Sequence, residues 1–466
     1  METREYDAII VGAGAAGMAA ALSAAETAKH LGHEYRITVL ERSGESDWGG
    51  NSRWTTSNFR MIDEDHLYPT FEEDIIRDSK GKASKEYVRR LALEAVDTIR
   101  WICSKGVVLE RRPGNWSVSG FKMGPVGGGL EIITHLRAKA EELGVSIIFG
   151  ATAYKLFLDD DGNVGGLFIR HGNGKSEKLK SRAVILAGGG FEGSYEMLTK
   201  YIGRDALALR MDVPATKYHM GECMNMAFEI GAAPSGEFGN YHGDVVDLRS
   251  TAYRSSIRAY VHGVLVNING ERFADEGMDE ISGSFEFMSR GIFRQPGHRA
   301  FVIFDKKAHS IQMLGKDIKT SIPPYEANSL EKLAGMIGIN APSKLVKTIE
   351  EFNTSVQPGQ FDPSKLDGKH TSGINPPKSN WALEVDTPPF YCYPVEGTVQ
   401  FTWGGVASDS KGRVCMAGGS PILGLYAAGE TVGFYYHHFT PGTAVMAALT
   451  YGRIAGFEAI SWIAGE

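Results

Sequence analysis

The sequence predicts an α/β fold: a doubly wound parallel-sheet domain built from both ends of the chain, with an α+β domain inserted between its halves. Three observations predict it. A β-α-β pattern opens the chain, glycine turns that close apolar strands recur near residues 187–190 and 424–430, and the stretch between them changes character. Residues 6–11 (YDAIIV) are a nearly continuous apolar run, as in a strand covered on both faces. GAGAAG follows, then an Ala-rich helix to about residue 29 and a second strand at 36–40 that ends at Glu41. Helices are expected around 85–105 and 129–143, and strands at 146–149, 166–170 and 181–186. Residues 241–384 are richer in Arg and aromatics, with Asn/Pro/Ser clusters at 353–363 and 370–380. A last helix is expected from about Gly442. The expected division is 1–240, an inserted domain at 241–384, and a return to the first domain at 385–466.

Composition narrows the function. Gly makes up 57 of 466 residues, well above the usual ~7%. There is no Gly-X-Y period, so the glycines serve tight turns or close backbone approach to a ligand. The chain carries 49 basic and 56 acidic residues, a net charge of −7, which argues against a nucleic-acid partner. Cys103, Cys223, Cys392 and Cys415 are scattered with no CxxC pair. That pattern supports no disulfide framework, zinc site or iron–sulfur cluster, and no metal site is read from the sequence. No stretch reaches the ~20 apolar residues of a membrane helix. A reduced, cytoplasmic compartment is the expectation.

Gly12-x-Gly14-x-x-Gly17 lies directly between strand and helix. The first Gly permits the turn, the second lets backbone approach a pyrophosphate, and the third lets helix pack on strand. Ala15 and Ala16 open the helix, whose N-terminus offers free N–H groups and a positive dipole end to phosphates. Glu41, followed by Arg42, stands where an acid that binds ribose hydroxyls is expected. Three further segments suit a longer ligand: Gly49, Gly50, Asn51 and Ser52 after the second strand; Ala187, Gly188 and Gly189 after a later one; and Gly429 and Glu430 near the C-terminus.

Taken in this order, these segments resemble the FAD-dependent flavoproteins of the fumarate reductase/succinate dehydrogenase superfamily. GGNSRWTTSNFRM (49–61), RFADEG (272–277) and YYHHFTPGTAVMAALTYGRIAG (435–456) are most similar to its tricarballylate dehydrogenase-like branch. The resemblance implies a Rossmann-like FAD-binding domain with an inserted α+β capping domain. It places 49–52 beside the isoalloxazine, Glu430 at the ribityl chain, and the helix that begins at Gly442, Thr443 and Ala444 with its N-terminus at the flavin pyrimidine. The implied chemistry is oxidation or reduction of a CH–CH bond next to a carboxylate or carbonyl, as in a tricarballylate-like polycarboxylate. Pro441-Gly442 is similar to the 3-ketosteroid Δ1-dehydrogenases, so the alternative is that activity or ene reduction of an enone. A flavin oxidase or monooxygenase is a further alternative. No His matches a covalent attachment point, so the FAD is expected to be non-covalent. The partners implied are a small-molecule substrate and an electron acceptor, an iron–sulfur or membrane redox protein.

The departures bear on substrate and catalyst. Phe401 precedes the Thr402-Trp-Gly-Gly405 run where fumarate reductases carry His. Thr440 stands at their carboxylate-binding Arg, and His309 lies near their acid-catalyst Arg. The catalytic candidates are therefore His438 first, then Tyr436 and His437, on the segment expected to pass the flavin; His and Tyr serve as bases when tuned. Arg258 and His262 in the insert are the second group, with Arg254 at i,i−4 to Arg258. Glu276 reads either as a proton carrier or as the partner of Arg272. His242 reads as structural.

Overall fold

The computed structural model describes residues 3–113, 121–279, 281–311 and 317–465. Its main sheet has a parallel core in the order Pro421–Ala427, Ser176–Leu186, Thr3–Val11, Ile37–Glu41, Ser146–Phe149. Ala8, Ile9 and Ile10 are fully buried, as a strand covered on both faces requires. An antiparallel pair, Ala151–Leu158 and Val164–His171, extends the sheet from the first half of Ser176–Leu186.

The Ala-rich helix Ala15–His30 packs on the C-terminal helix Ala444–Ala464. Small residues set their distance. A Cβ on Gly452 would lie 2.3 Å from the Ala16 carbonyl oxygen, and one on Gly456 would lie 2.2 Å from that of Ala20. The two chain ends thus lock together over the first strand.

The inserted unit has its own sheet, in the order Val245–Asp247, Phe390–Val399, Arg299–Asp305, Val264–Val266, with Tyr325–Ala327 also paired to Phe390–Val399. Alternation divides the side chains of Arg299–Asp305. Ala300, Val302 and Phe304 join Met288 and Ile292 of helix Ile281–Phe293. Phe301 and Ile303 join Leu333, Leu345, Ile349 and Phe352 of the helices Leu330–Ile337 and Pro342–Ser355. Phe390–Val399, which the expected division assigns to the returning segment, is therefore a central strand of this second sheet. Its alternating residues fill both of these cores. The crossing back falls at Gln400, before the short pair Tyr241–His242 and Phe401–Thr402.

Candidate active site

A cavity of about 550 Å³ runs from the turn after the first strand to the inserted domain. At its glycine end Gly12 has φ +103°, and a Cβ there would lie 2.3 Å from the Ala187 carbonyl oxygen. Gly14 caps the first helix without a side-chain cap, while Ser52 Oγ accepts from the Ala15 N–H at 2.9 Å. The buried Glu41 carboxylate accepts from the N–H groups of Ala13 (3.0 Å) and Ser43 (2.9 Å), which fixes it at the mouth of the turn. Gly188 lies so close to Cys223 that a Cβ would meet its Sγ at 2.4 Å.

At the cavity's middle lies an acid cluster in which Glu192 and His219 are buried and Glu430 is half-buried. His219 Nδ1 bonds Glu192, whose same oxygen accepts from Asn51 Nδ2 at 2.8 Å. Glu430 accepts from the Thr402 N–H at 2.7 Å. Burial and then the Glu192 carboxylate push Glu430 well above the usual carboxylate range. For His219 burial opposes the charge, but the Glu192 carboxylate outweighs it and raises the pKa.

These residues fit a dinucleotide. Backbone free of Cβ atoms faces the cavity, a helix N-terminus opens onto it, and Asn51 Oδ1 is buried at its wall with no partner among the described residues. Gly12, Gly14, Ala15, Ala16, Glu41, Arg42, Gly50, Asn51, Ser52, Ala187, Gly188, Gly189, Gly429, Glu430, Gly442 and Ala444 line it. Three expected cofactor residues shape the wall from behind. Gly17 holds helix to strand, since a Cβ would lie 1.8 Å from the Gly12 oxygen. Gly49 backs onto Ile133. Thr443 Oγ1 donates to the Thr440 carbonyl at 2.6 Å. Arg42, though at the cavity, is engaged by Glu222 (2.9 Å) and the Tyr218 carbonyl.

The inserted domain closes the other end. Arg258 is half-buried and bound twice by Asp244, Nη2–Oδ2 at 2.5 Å and Nε–Oδ1 at 3.1 Å. Asp244 also accepts from Ser256 Oγ at 2.7 Å, and Arg258 and Ser256 together hold its pKa down against burial. Arg254 and Lys319 line the same end and have no ion-pair partner among the described residues. A chain of contacts ties this end to the segment that carries Asn51. Asn51 donates to the Gln400 carbonyl, Gln400 Nε2 donates to Asp212 Oδ2 (3.0 Å), and Asp212 Oδ1 accepts from the Arg254 N–H (3.1 Å).

The first-choice catalytic candidates lie elsewhere. His437 has φ +56°, and this tight turn carries 436–438 off the wall while Tyr435 and Phe439 line it. The Tyr436 hydroxyl accepts from the Gly236 N–H (2.9 Å) and bonds Ser235 Oγ. The His437 N–H donates to Glu237. His438 stacks on Phe287 at 4.8 Å, with Nδ1 3.4 Å from Glu286. His262 is buried in the core of the insert against Phe361 and Trp381; burial and then the Lys378 charge lower its pKa to about 3. His309 stacks on Tyr391 at 4.4 Å. Glu276 is buried and bound to Arg272 and the Leu265 N–H, the structural alternative.

His242 corrects the sequence reading in the other direction. It lines the cavity, stacked on Phe401 at 4.6 Å, and bonds Glu286 through Nδ1 at 2.8 Å. Burial would raise Glu286, but the hydrogen bond from His242, the nearby His438 and the Arg290 charge hold it at about 2. Lys319, Asp244 and Phe285 are cavity residues with no motif around them, and nothing local in the sequence marks them.

Fold and cavity together define a dinucleotide-binding flavoprotein with a substrate-covering domain. Residues 7–445 match the FAD binding domain family, and the chain belongs to it. It is a member of the fumarate reductase/succinate dehydrogenase flavoprotein superfamily, an FAD-dependent oxidoreductase acting on CH–CH bonds. A probable fumarate reductase of Shewanella frigidimarina is 27% identical over 97% of this chain and 74% of its own. A vinyl phenol reductase of Lactiplantibacillus plantarum is 25% identical over 98% of this chain and 97% of its own. The solved open conformation of a flavocytochrome c3 fumarate reductase superposes with a TM-score of 0.75 at 24% identity, over 99% of this chain and 79% of that one. No helix among the described residues is long and apolar enough to cross a membrane.

Proposed function

We propose that the protein reduces, or in reverse forms, a C=C bond conjugated to a carboxylate, with that carboxylate held by Arg254 and Lys319. The charge balance of the cavity carries this reading. Arg258 is bound by Asp244, whereas Arg254 and Lys319 form no ion pair among the described residues and feel the carboxylates of Asp212, Asp244 and Asp317 only at longer range. A substrate anion completes the set, and charge-assisted bonds to it are short and strong. The cations also draw electron density from the conjugated double bond as negative charge develops on the carboxylate.

When bound, FAD supplies hydride transfer at its N5. The protein's own residues do the rest. Gly12, Gly14 and the N-terminus of helix Ala15–His30 seat the pyrophosphate, and Glu41 binds ribose hydroxyls. The raised pKa of Glu430 favours its uncharged form at the cavity wall. Lys319 Nζ holds the proton exchanged with the carbon next to the carboxylate. Burial and the Arg258 charge lower its pKa, which eases that exchange. Among the described residues the one group of three potential metal ligands is Glu192, His219 and Glu430, with no cysteine cluster. The redox partner in this reading is an external iron–sulfur or membrane redox protein.

The test is anaerobic reoxidation of photoreduced holoenzyme by enoates and by their amides, followed in the flavin band. Carboxylates are expected to react at least tenfold faster at equal concentration. Equal rates for the amides would remove the role of Arg254 and Lys319.

A further inference from the structure

The anion subsite leaves the adjoining wall of the cavity unexplained. From Arg258 to the turn at Pro441 that wall is a run of rings: Phe285, His242, Phe401, Phe439 and Tyr435. The Arg258 guanidinium lies over Phe285, 4.4 Å from its centroid. Phe285 meets the edge of His242 at 5.1 Å, and His242 stacks on Phe401 at 4.6 Å. Phe439 packs on His242 (4.7 Å), Phe401 (5.4 Å) and Tyr435 (5.1 Å). The rings come from the insert helix Ile281–Phe293, the paired strands Tyr241–His242 and Phe401–Thr402, and the turn around His437. Glu286 fixes His242 from behind and is itself bound by Arg290 at 3.1 Å.

No second free cation faces these rings among the described residues. Arg42 is matched by Glu222, Arg60 by Asp74, and Arg112 by Glu110 and the carbonyls of Thr56 and Pro125. A second carboxylate against this wall would lose its water without gaining a partner. A flat conjugated ring would stack there and exclude water.

We infer that the substrate is a 2-enoate with a planar aromatic group on C3, its carboxylate at Arg254 and Lys319 and its ring against His242, Phe401 and Phe439. This rests on the carboxylate reading proposed above. In the reductive direction reduced FAD gives a hydride to C3, and the Lys319 ammonium gives a proton to C2. The C2=C3 π bond is consumed, two C–H bonds form, FAD ends oxidised, and solvent reprotonates the Lys319 amine.

Two measurements on FAD-loaded protein test it. The first is anaerobic reoxidation of photoreduced enzyme by cinnamate, crotonate, styrene and aconitate. Cinnamate is expected to exceed each of the others at least tenfold in rate per concentration. Crotonate equal to cinnamate overturns the aromatic assignment while leaving the carboxylate reading. Styrene equal to cinnamate overturns the carboxylate reading itself. Aconitate as the fastest substrate overturns the aromatic assignment in favour of a polycarboxylate. The second is perturbation of the oxidised flavin spectrum by 3-phenylpropanoate and butanoate, which needs no turnover. Phe439→Leu is expected to raise the Kd for 3-phenylpropanoate about tenfold and leave that for butanoate unchanged, with FAD content intact. Equal effects on both ligands, or no perturbation by either, would overturn the proposal.

Discussion

The two ends of the cavity are built by different means. At the nucleotide end, shape is set by missing side chains: Gly12 closes on Ala187, Gly14 on Ser52 and Gly188 on Cys223, and a strand and a helix adjacent in sequence do the positioning. At the substrate end, function is carried by side chains from positions 242, 254, 319, 401 and 439, held by long-range pairing and by buried acids such as Asp244 and Glu286. A local device tolerates no added atom. A converging one tolerates single losses unevenly, according to what each loss leaves unpaired.

The sharpest test of that contrast is Gly12→Val. A Cβ there meets the Ala187 carbonyl, and φ +103° strains any L side chain. The expected outcome is protein without flavin absorbance and with reduced folding yield, read from the ratio of flavin to protein absorbance. Retained FAD would mean that the close approach is not needed.

At the other end Arg258→Met should act mainly on stability. It leaves the buried Asp244 carboxylate without its partner, a loss that typically costs ~3–5 kcal/mol. Urea unfolding measures it, and a cost below about 1 kcal/mol would show that Asp244 is solvated or protonated in the folded state.

His262 separates a core histidine from a catalytic one by pH. Its folded pKa of about 3 lies below the ordinary 6.5, so on acidification the unfolded chain takes up the proton first. Stability from this site is complete above pH 6.5 and is lost as pH falls from 6.5 towards 3. His262→Phe should flatten the unfolding free energy across that window by up to several kcal/mol, leaving the rate of flavin reduction unchanged. An altered pH–rate profile with unaltered stability would restore His262 as a catalyst.

Tyr436→Phe should have the smallest effect. It removes bonds to the Gly236 N–H and Ser235 Oγ, worth about 1 kcal/mol together, and should leave the reductive half-reaction at the wild-type rate. A hundredfold slower reduction would return the segment 435–438 to the active site.

The same contrast governs what was legible in the sequence. The strand at 146–149 and the turn at 12–17 were legible because their signals are local: apolar runs, glycine spacing, an acid at the end of a strand. Strand Ser176–Leu186 begins five residues before its expected start. Its leading half is polar except for Leu179 and alternates only in burial, pairing with Val164–His171 as well as with the first strand. The histidine pair lies off the cavity wall because the turn at His437, with its positive φ, places Tyr435 and Phe439 there instead. His242 was passed over because its partners lie 44 and 159 residues away, at Glu286 and Phe401.

Arg254 is where the two ends meet, its N–H linked through Asp212 and Gln400 to Asn51 at the cavity wall. The direct measurement is the Kd of 3-phenylpropanoate for oxidised wild-type and Arg254→Met holoenzyme, read from the flavin spectrum. Loss of one charge-assisted contact, about 1.5–3 kcal/mol, should weaken binding ~10–100-fold with FAD content and Tm essentially unchanged. An unchanged Kd would contradict the assignment of Arg254 and Lys319 as the carboxylate site.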